Sequence, residues 1–379
     1  HYINSISKEQ VIVEIFFFFL YNEAENKKGM VMNMNNKNWV SVWGNAVSIA
    51  EHHPEAYAKY ITLRYPVYIP FAGDTLRFTF DNYCGSEAVT VTRATVSAAT
   101  SPVYEKMPLA CPCKKETICD ITFSKNESVT MEAHQTAVSD PVSFPVKKGM
   151  TLTVSLYFAD FTLMQSAVLV TGPLSKGFFS LGDQTHADAL PMDTTKTTNW
   201  FYFLSNIELM TAEENHTVIC YGDSITAGAW PDYLTLLARQ NPDNHTAFIR
   251  RATSGSRVLR QYECITYDSY GLKGTNRFPH EIPTTGADTV IIQQGINDII
   301  HPIGIETNPF RPMSDLPTVK ELIDGYRYYI EEAKKLHLKV YMGTLLPIFG
   351  WRTYATFRDD LRNELNAWIR SAKEIDGCI

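Results

Sequence analysis

The chain of 379 residues predicts an all-β sandwich followed by an α/β domain with a parallel sheet, and three observations carry that expectation. From about residue 38 to 212, short stretches alternate or run β-branched, with turn residues between them. From about 214, strand-like runs alternate with helix-like ones, the pattern of a parallel sheet covered on both faces. At the changeover, the run HTVICYGDSITAGAWPDY (216–233) breaks from an apolar strand into a tight turn with Ser224 at its tip.

The elements follow in order. Residues 1–37 are expected to be a disordered or non-native leader. Their apolar run VIVEIFFFFLY (11–21) is short and interrupted by Glu14, against the roughly 20 apolar residues of a spanning helix. It also lacks the basic start and cleavage site of a secretory signal. Met30, Met32 and Met34 are better candidate starts, and the sequence reads as a fragment open at both ends.

Strands are predicted at 61–69, 74–82, 88–97, 119–124, 128–133 and 150–158, with turns at Ala72-Gly73-Asp74, Gly85, Ser124-Lys125-Asn126 and Lys148-Gly149. Segments 100–118 and 172–200 read as long loops. In the second domain, 213–379, strands are predicted at 216–222, 247–252, 289–294 and 338–344, and helices near 229–240, 316–335 and 354–373. The last helix shows apolar residues at helical spacing: Phe357, Leu361, Leu365, Trp368 and Ile369. A loop-rich insertion at 258–288 carries Tyr262, Tyr267, Tyr270 and Phe278. It reads equally as a pocket wall or as a surface excursion.

Bulk properties narrow the function. Hydrophobic residues at 45% and charged residues at 20% are those of a globular protein. A formal net charge of −7 argues against a nucleic-acid partner, which needs a basic face to neutralise phosphate. No membrane partner is expected. The seven cysteines are odd in number and lack the spacing of a disulfide framework. Cys111-Pro-Cys113 with Cys119 has no matching fourth ligand nearby, so no metal is expected. Reduced cysteines fit a cytoplasmic protein, with secretion as the alternative.

Chemistry gathers at three predicted strand ends, where an open α/β sheet places its ligands. Ser224 follows the first. RRATSGSR (250–257) follows the second and TVIIQQGIND (289–298) contains the third. A serine held rigidly at a strand end can act as a nucleophile once a base takes its proton. The backbone N–H groups of Ser224 and Gly255 and the side-chain amide of Asn297 could supply three donors to an oxyanion. Each has a plainer reading too: a helix cap for Ser224 or Asp223, a turn for Gly255, an Asx-turn or cap for Asn297. Asp223 and His301 are candidate pocket residues, and Asp298 is expected to brace its own loop. His245 and His280 stand in loop-like surroundings and are expected to be exposed.

These blocks resemble those of the SGNH, or GDSL-type, serine hydrolases. Gly222-Asp223-Ser224-Ile225, Ser254-Gly255-Ser256-Arg257 and Gly295-Ile296-Asn297-Asp298 match three of that family's blocks in order. Ala252 stands where relatives often have glycine. The resemblance implies a flavodoxin-like domain, Ser224 as nucleophile, and oxyanion donors at Ser224, Gly255 and Asn297, with no metal or organic cofactor.

Its fourth block, a DxxH carrying the catalytic Asp and His, is expected beyond Ile379. Two internal matches to that spacing exist. Asp183–His186 lies in the other domain and is treated as chance, and Asp298–His301 follows the third block directly. Ordered likenesses in the first half (WVSVWG, LRFTFDNYCGSEAVTV, SDPVSFPV, GDQTHAD) extend the resemblance to a subgroup with a jelly-roll-like β-sandwich before the hydrolase domain.

The implied activity is hydrolysis of short acyl esters, acetyl first, on a small-molecule or carbohydrate substrate. Arylesterase or lysophospholipase activity comes second. The alternative from another class is a non-catalytic glycan-binding protein. Trp230, Tyr262 and Tyr270 are the aromatic residues nearest in sequence that could meet a sugar.

Overall fold

The computed structural model describes residues 37–50, 57–262, 267–304 and 311–379. The apolar run at 11–21 and the candidate starts lie outside these.

Residues 37–212 are strand-rich and antiparallel. One sheet runs Lys37–Gly44, Leu204–Ala212, Gly73–Asp81, Thr136–Val138, with Val142–Val146 also paired to Gly73–Asp81. The other runs Lys196–Thr198, Gly177–Leu181, Ile61–Tyr68, Thr151–Phe158, Arg93–Ala98, Cys119–Ile121. Leu76, Phe78, Phe80, Ile207 and Leu209 of the first share one core with Leu63, Tyr65, Val67, Val154 and Leu156 of the second.

Thr151–Phe158 is buried at every position, as expected of a central strand covered on both faces. The long loops do part of the covering. Arg64 points outward from the neighbouring strand and is fully buried there. Its guanidinium donates to Ser155 Oγ at 2.9 Å and to the carbonyls of Cys111, Gln184 and Ala187.

The strand pattern departs from expectation in three places. The run 88–97 is two strands, Val89–Val91 and Arg93–Ala98, which belong to different sheets. The break falls at Thr92, whose N–H and hydroxyl bond Tyr157 and Ala159 instead of continuing a ladder. Segment 172–200 contains the strands Gly177–Leu181 and Lys196–Thr198. Leu204–Ala212, where no strand is predicted, lies inside a sheet. Asn206 donates to Ser41 Oγ at 3.0 Å, and Glu208 accepts from Arg77 at 2.6 Å.

From His216 the architecture changes to a five-stranded parallel sheet. Its strands are β1 (His216–Gly222), β2 (Thr246–Ala252), β3 (Ala287–Gln293), β4 (Lys339–Met342) and β5 (Gly377–Cys378), in the order β2-β1-β3-β4-β5. The helices are α1 (Ser224–Ala227), α2 (Trp230–Ala238), α3 (Gly274–Glu281), α4 (Ile296–Ile300), α5 (Val319–Lys335) and α6 (Thr356–Ser371). Thr318 opens α5 with a full capping box to Glu321. Helix α3 lies inside the insertion read as loop-rich, because Gly274 and Pro279 are poor helix formers that tertiary packing overrides. Among the described residues, no helix is long and apolar enough to cross a membrane.

The two regions meet along β2, at the edge of the parallel sheet. Ala227, Ala247 and Ala252 belong to the same apolar cluster as the antiparallel core. Across this seam Ser41 N–H donates to the Thr285 carbonyl at 2.9 Å, and Thr217 Oγ1 donates to the Ser41 carbonyl at 2.6 Å. Arg251 reaches over it, donating to the carbonyls of Asn45, Ser205 and Glu281 and to Asn206 Oδ1.

Candidate active site

The parallel sheet delivers the ends of β1, β2, β3 and β4 to one edge. The chain after each contributes to a single cavity of about 590 Å³. Ser224, Gly255, Asn297 and His301 all line it, with Tyr270 and the loop after β4 completing the wall.

Ser224 is the first residue of α1 and is exposed to solvent. Its turn is tight because β1 ends against β3: a Cβ at Gly222 would stand 2.3 Å from the Gln293 carbonyl oxygen. Asp223 fixes the turn from beneath. One carboxylate oxygen accepts from Ile225 N–H at 3.0 Å. The other is buried without a partner among the described residues. Burial, with a smaller contribution from the Asp298 carboxylate, pushes Asp223 up to about 7. Asp223 is therefore a buried cap and does not line the cavity.

Gly255 has φ +81°, a conformation that favours glycine, and a Cβ there would fall 2.2 Å from Tyr270 Cδ1. Among the described residues, the N–H groups of Ser224 and Gly255 find no acceptor. Asn297 is buried, and its Nδ2 donates to the Ser256 carbonyl at 3.0 Å. An amide nitrogen has two protons, so one N–H remains for the cavity.

A buried network sets these positions. Ser256 Oγ accepts from Arg277 at 2.8 Å and from Gln294 Nε2 at 2.9 Å. Gln294 Oε1 accepts from the Tyr329 hydroxyl at 2.7 Å. Arg277 is paired with Glu281 at 2.8 Å. Asp298 does brace its neighbourhood, accepting from the N–H groups of Val258 and Leu259 at 2.8 and 3.0 Å. Burial pushes its carboxyl up to about 6. Gln294 and Tyr329 carry no local signal in the sequence, since their partners lie far along the chain, whereas Arg277 and Glu281 stand at i, i+4 on α3.

Among the described residues, His301 does not meet a carboxylate. Its Nδ1 lies 2.6 Å from the Tyr262 hydroxyl, and its ring stacks on Tyr270 at 5.4 Å. Burial, then the nearby cations Arg311, Arg257 and Arg352, depress it to about 3, so the imidazole is neutral at working pH. The Asp183–His186 match lies in the strand-rich region, with Asp183 on Arg93 and His186 on Asp120.

Of the aromatic candidates, Tyr270 lines the cavity and Tyr262 sits behind His301, while Trp230 packs against the Val218–Leu234 cluster and does not reach it. His280 is not an exposed loop residue. It lies in α3, stacks on Tyr83 at 3.7 Å and meets Asp81 at 3.0 Å. His245 bonds Asn215 at 2.9 Å. Among the described residues, no group of three metal-ligating side chains converges.

An exposed serine at one strand end and backbone N–H groups at the next thus stand at one edge of a parallel α/β sheet. Residues 220–379 match the GDSL-like lipase/acylhydrolase family, so this part of the chain is a GDSL-type domain, as the sequence blocks implied.

Several solved structures are similar to part of the chain. A GDSL-like lipase from Bacteroides thetaiotaomicron VPI-5482 is 22% identical, over 44% of this chain and 68% of that one, with a TM-score of 0.28. An acetyl xylan esterase is 16% identical, over 42% and 75%, with a TM-score of 0.30. A psychrotrophic esterase from Pseudoalteromonas sp. is 13% identical, over 44% and 78%, with a TM-score of 0.29. No curated protein matches the chain.

Proposed function

We propose that the protein is a serine esterase acting on short acyl esters, acetyl esters of carbohydrates first. The observation that carries this reading is the convergence of exposed Ser224, two unpaired backbone N–H groups and the Asn297 amide on one cavity. Ser224 Oγ attacks the ester carbonyl. The resulting oxyanion is met by the N–H groups of Ser224 and Gly255 and by the Asn297 amide. The adduct collapses as the alcohol leaves, taking up the proton that Ser224 gave up, and water then adds to the acyl-serine carbonyl and releases the carboxylic acid, restoring the serine hydroxyl.

His301 is a poor base in this reading, because its imidazole is buried, hydrogen-bonded to Tyr262 and hard to protonate. Strand β5 runs parallel to β4, so it points toward the same sheet edge as Ser224. The strand-rich region is read as the jelly-roll-like sandwich of the two-domain subgroup.

One observation favours a second reading, a non-catalytic glycan-binding protein: among the described residues, the histidine lining the cavity bonds a tyrosine hydroxyl and not a carboxylate. Labelling with a fluorophosphonate probe, together with hydrolysis of 4-nitrophenyl acetate, separates the two. The esterase reading expects a label on Ser224 and turnover, both lost in Ser224→Ala. Equal behaviour of the parent and that variant would favour the binding protein. A series of 4-nitrophenyl esters of rising chain length, fastest at acetate, would set the acyl preference.

A further inference from the structure

The Ser224 cavity is largely apolar in its walls, and its charge has one sign. Ile225, Ile296, Ile300 and Ile348 line it, and the loop after β4 adds Phe349 and Trp351, which are 78% and 47% exposed. Among the described residues, no aspartate or glutamate lines it, and the lining residue with a formal charge is Arg352. Arg352 is exposed, with its guanidinium carbon 5.5 Å from the centre of the Trp351 ring. It makes no ion pair or hydrogen bond among the described residues, so its positive charge is uncommitted.

His301 stands in the same wall with a donor to spare, although the residue is only 7% exposed. Among the described residues the Tyr262 hydroxyl has His301 Nδ1 as its partner and no other, so it donates there and the imidazole proton sits on Nε2. That Nε2–H finds no acceptor among the described residues, yet it is not sealed from solvent. The bond to Tyr262 and the stack on Tyr270 hold the ring in place. Two more cations stand behind it. Arg257 lies over the Tyr262 ring at 4.1 Å and is paired with Asp315, and Arg311 lies over the Tyr267 ring at 4.9 Å. The field of Arg311, Arg257 and Arg352 opposes protonation of the imidazole, so Nε2–H stays a neutral donor.

A fixed neutral N–H near a free guanidinium suits a carboxylate, the first placing it and the second balancing its charge. Exposed flat rings beside them suit the C–H face of a sugar ring. An acetyl group fills only a small part of a cavity of about 590 Å³, which leaves space for such a ring. We propose that the alcohol side of this cavity selects an acidic saccharide, the acyl ester of a uronic acid. Arg352 and His301 Nε2–H meet its carboxylate, and Trp351 and Phe349 pack on its ring. The inference rests on the esterase reading for the position of the ester, and on this wall alone for the carboxylate.

Titration of the full chain with D-galacturonate and D-galactose, followed by ligand-observed NMR, tests it, because the two sugars differ by a carboxylate and binding needs no turnover. Galacturonate is expected to bind with a Kd on the order of 1–10 mM, and galactose at least about tenfold more weakly. Galacturonate affinity should fall as salt is raised. Arg352→Gln, on an exposed loop, and His301→Phe, which keeps a stacked ring but removes the donor, should each weaken galacturonate binding at least about tenfold. Arg370→Gln, an exposed arginine on α6, should leave it unchanged, and thermal melting checks that each variant folds. Equal affinity for the two sugars, no binding of galacturonate, or full retention of binding in Arg352→Gln would overturn the inference. Preference for sn-glycerol 3-phosphate over galacturonate would overturn it too, and would give the wall to a phosphate headgroup. Fluorophosphonate labelling reads the other claim separately. Its failure, with galacturonate binding still dependent on Arg352, would overturn the esterase reading and leave the carboxylate subsite standing.

Discussion

Tyr270 fills the space that a side chain at residue 255 would need: a Cβ on Gly255 would lie 2.2 Å from Tyr270 Cδ1 and 2.3 Å from its Cγ. The glycine that offers its N–H to the cavity and the tyrosine that walls the cavity are therefore one arrangement. Gly255→Ala must both hold φ near +81° and displace the ring. The expected cost is on the order of 2–4 kcal/mol, from left-handed strain and overpacking together. Urea unfolding measures it, and Gly255→Ala should also label more slowly at Ser224. A variant as stable and as reactive as the parent would show that Tyr270 moves freely.

Asp223 gives a stability signature in pH. Its carboxyl is raised from the ordinary 3.8 to about 7 by burial, so the folded state holds a proton that the unfolded state releases between those values. Stability from this group is full below about pH 4 and is lost as pH rises toward 7. Asp223→Asn keeps an acceptor for Ile225 N–H and removes the titration. Its melting temperature relative to the parent should rise between pH 4.5 and 7.5. The rise should correspond to a few kcal/mol, since each tenfold difference in proton affinity between the folded and unfolded states is worth about 1.4 kcal/mol. A difference independent of pH would mean that Asp223 is ionised throughout.

His301 acts in the opposite sense. Its folded value is depressed to about 3, below its ordinary 6.5, so the unfolded state binds the extra proton and stability rises with pH across that window. The imidazole ring resonances of His301, followed by NMR, should keep their neutral positions from pH 8 to about 4. A midpoint near 6.5 would show that the ring is solvated and would reopen it as a base.

Arg251 binds the two regions together through the carbonyls of Asn45 and Ser205 and the Asn206 side chain, and it donates to the Glu281 carbonyl on its own side. Replacing it by Met strips the donors from the Asn45 and Glu281 carbonyls and from Asn206 Oδ1, while the Ser205 carbonyl keeps the Asn45 N–H, at an expected cost on the order of 3 kcal/mol or more. Arg251→Lys should recover little, since an ammonium cannot reproduce the planar fork. Scanning calorimetry of both variants checks this, and full rescue by Lys would reduce the role of Arg251 to its charge.

What the sequence made legible was local. The exposed turn at Ser224, the glycine at 255 and the amide at 297 each follow a strand, and strand ends in a parallel sheet must share an edge. Tyr270 could be noticed as one aromatic among several, but only the packing separates it from Trp230, which lies against the Val218–Leu234 cluster. Helix α3 was hidden by Gly274 and Pro279, and the sheet strand Leu204–Ala212 by Asn206 and Glu208, whose polar side chains are answered by Ser41 and Arg77. Arg352 stands in the loop after β4 and His301 at the end of α4, well apart in the chain. Nothing within a short window of sequence brings them to one cavity.

The seam along β2 has a consequence for how the molecule can be divided. An outer strand of a sheet is ordinarily a liability, a row of backbone groups and apolar side chains open to unwanted pairing. Here the antiparallel half caps that flank, and Ala247 and Ala252 are covered by its core. Excising the GDSL-type half at its sequence boundary would uncover this flank and strand the Arg251 guanidinium at a raw surface. The isolated half should be poorly soluble, because the region ahead of it works as a permanent guard against self-association.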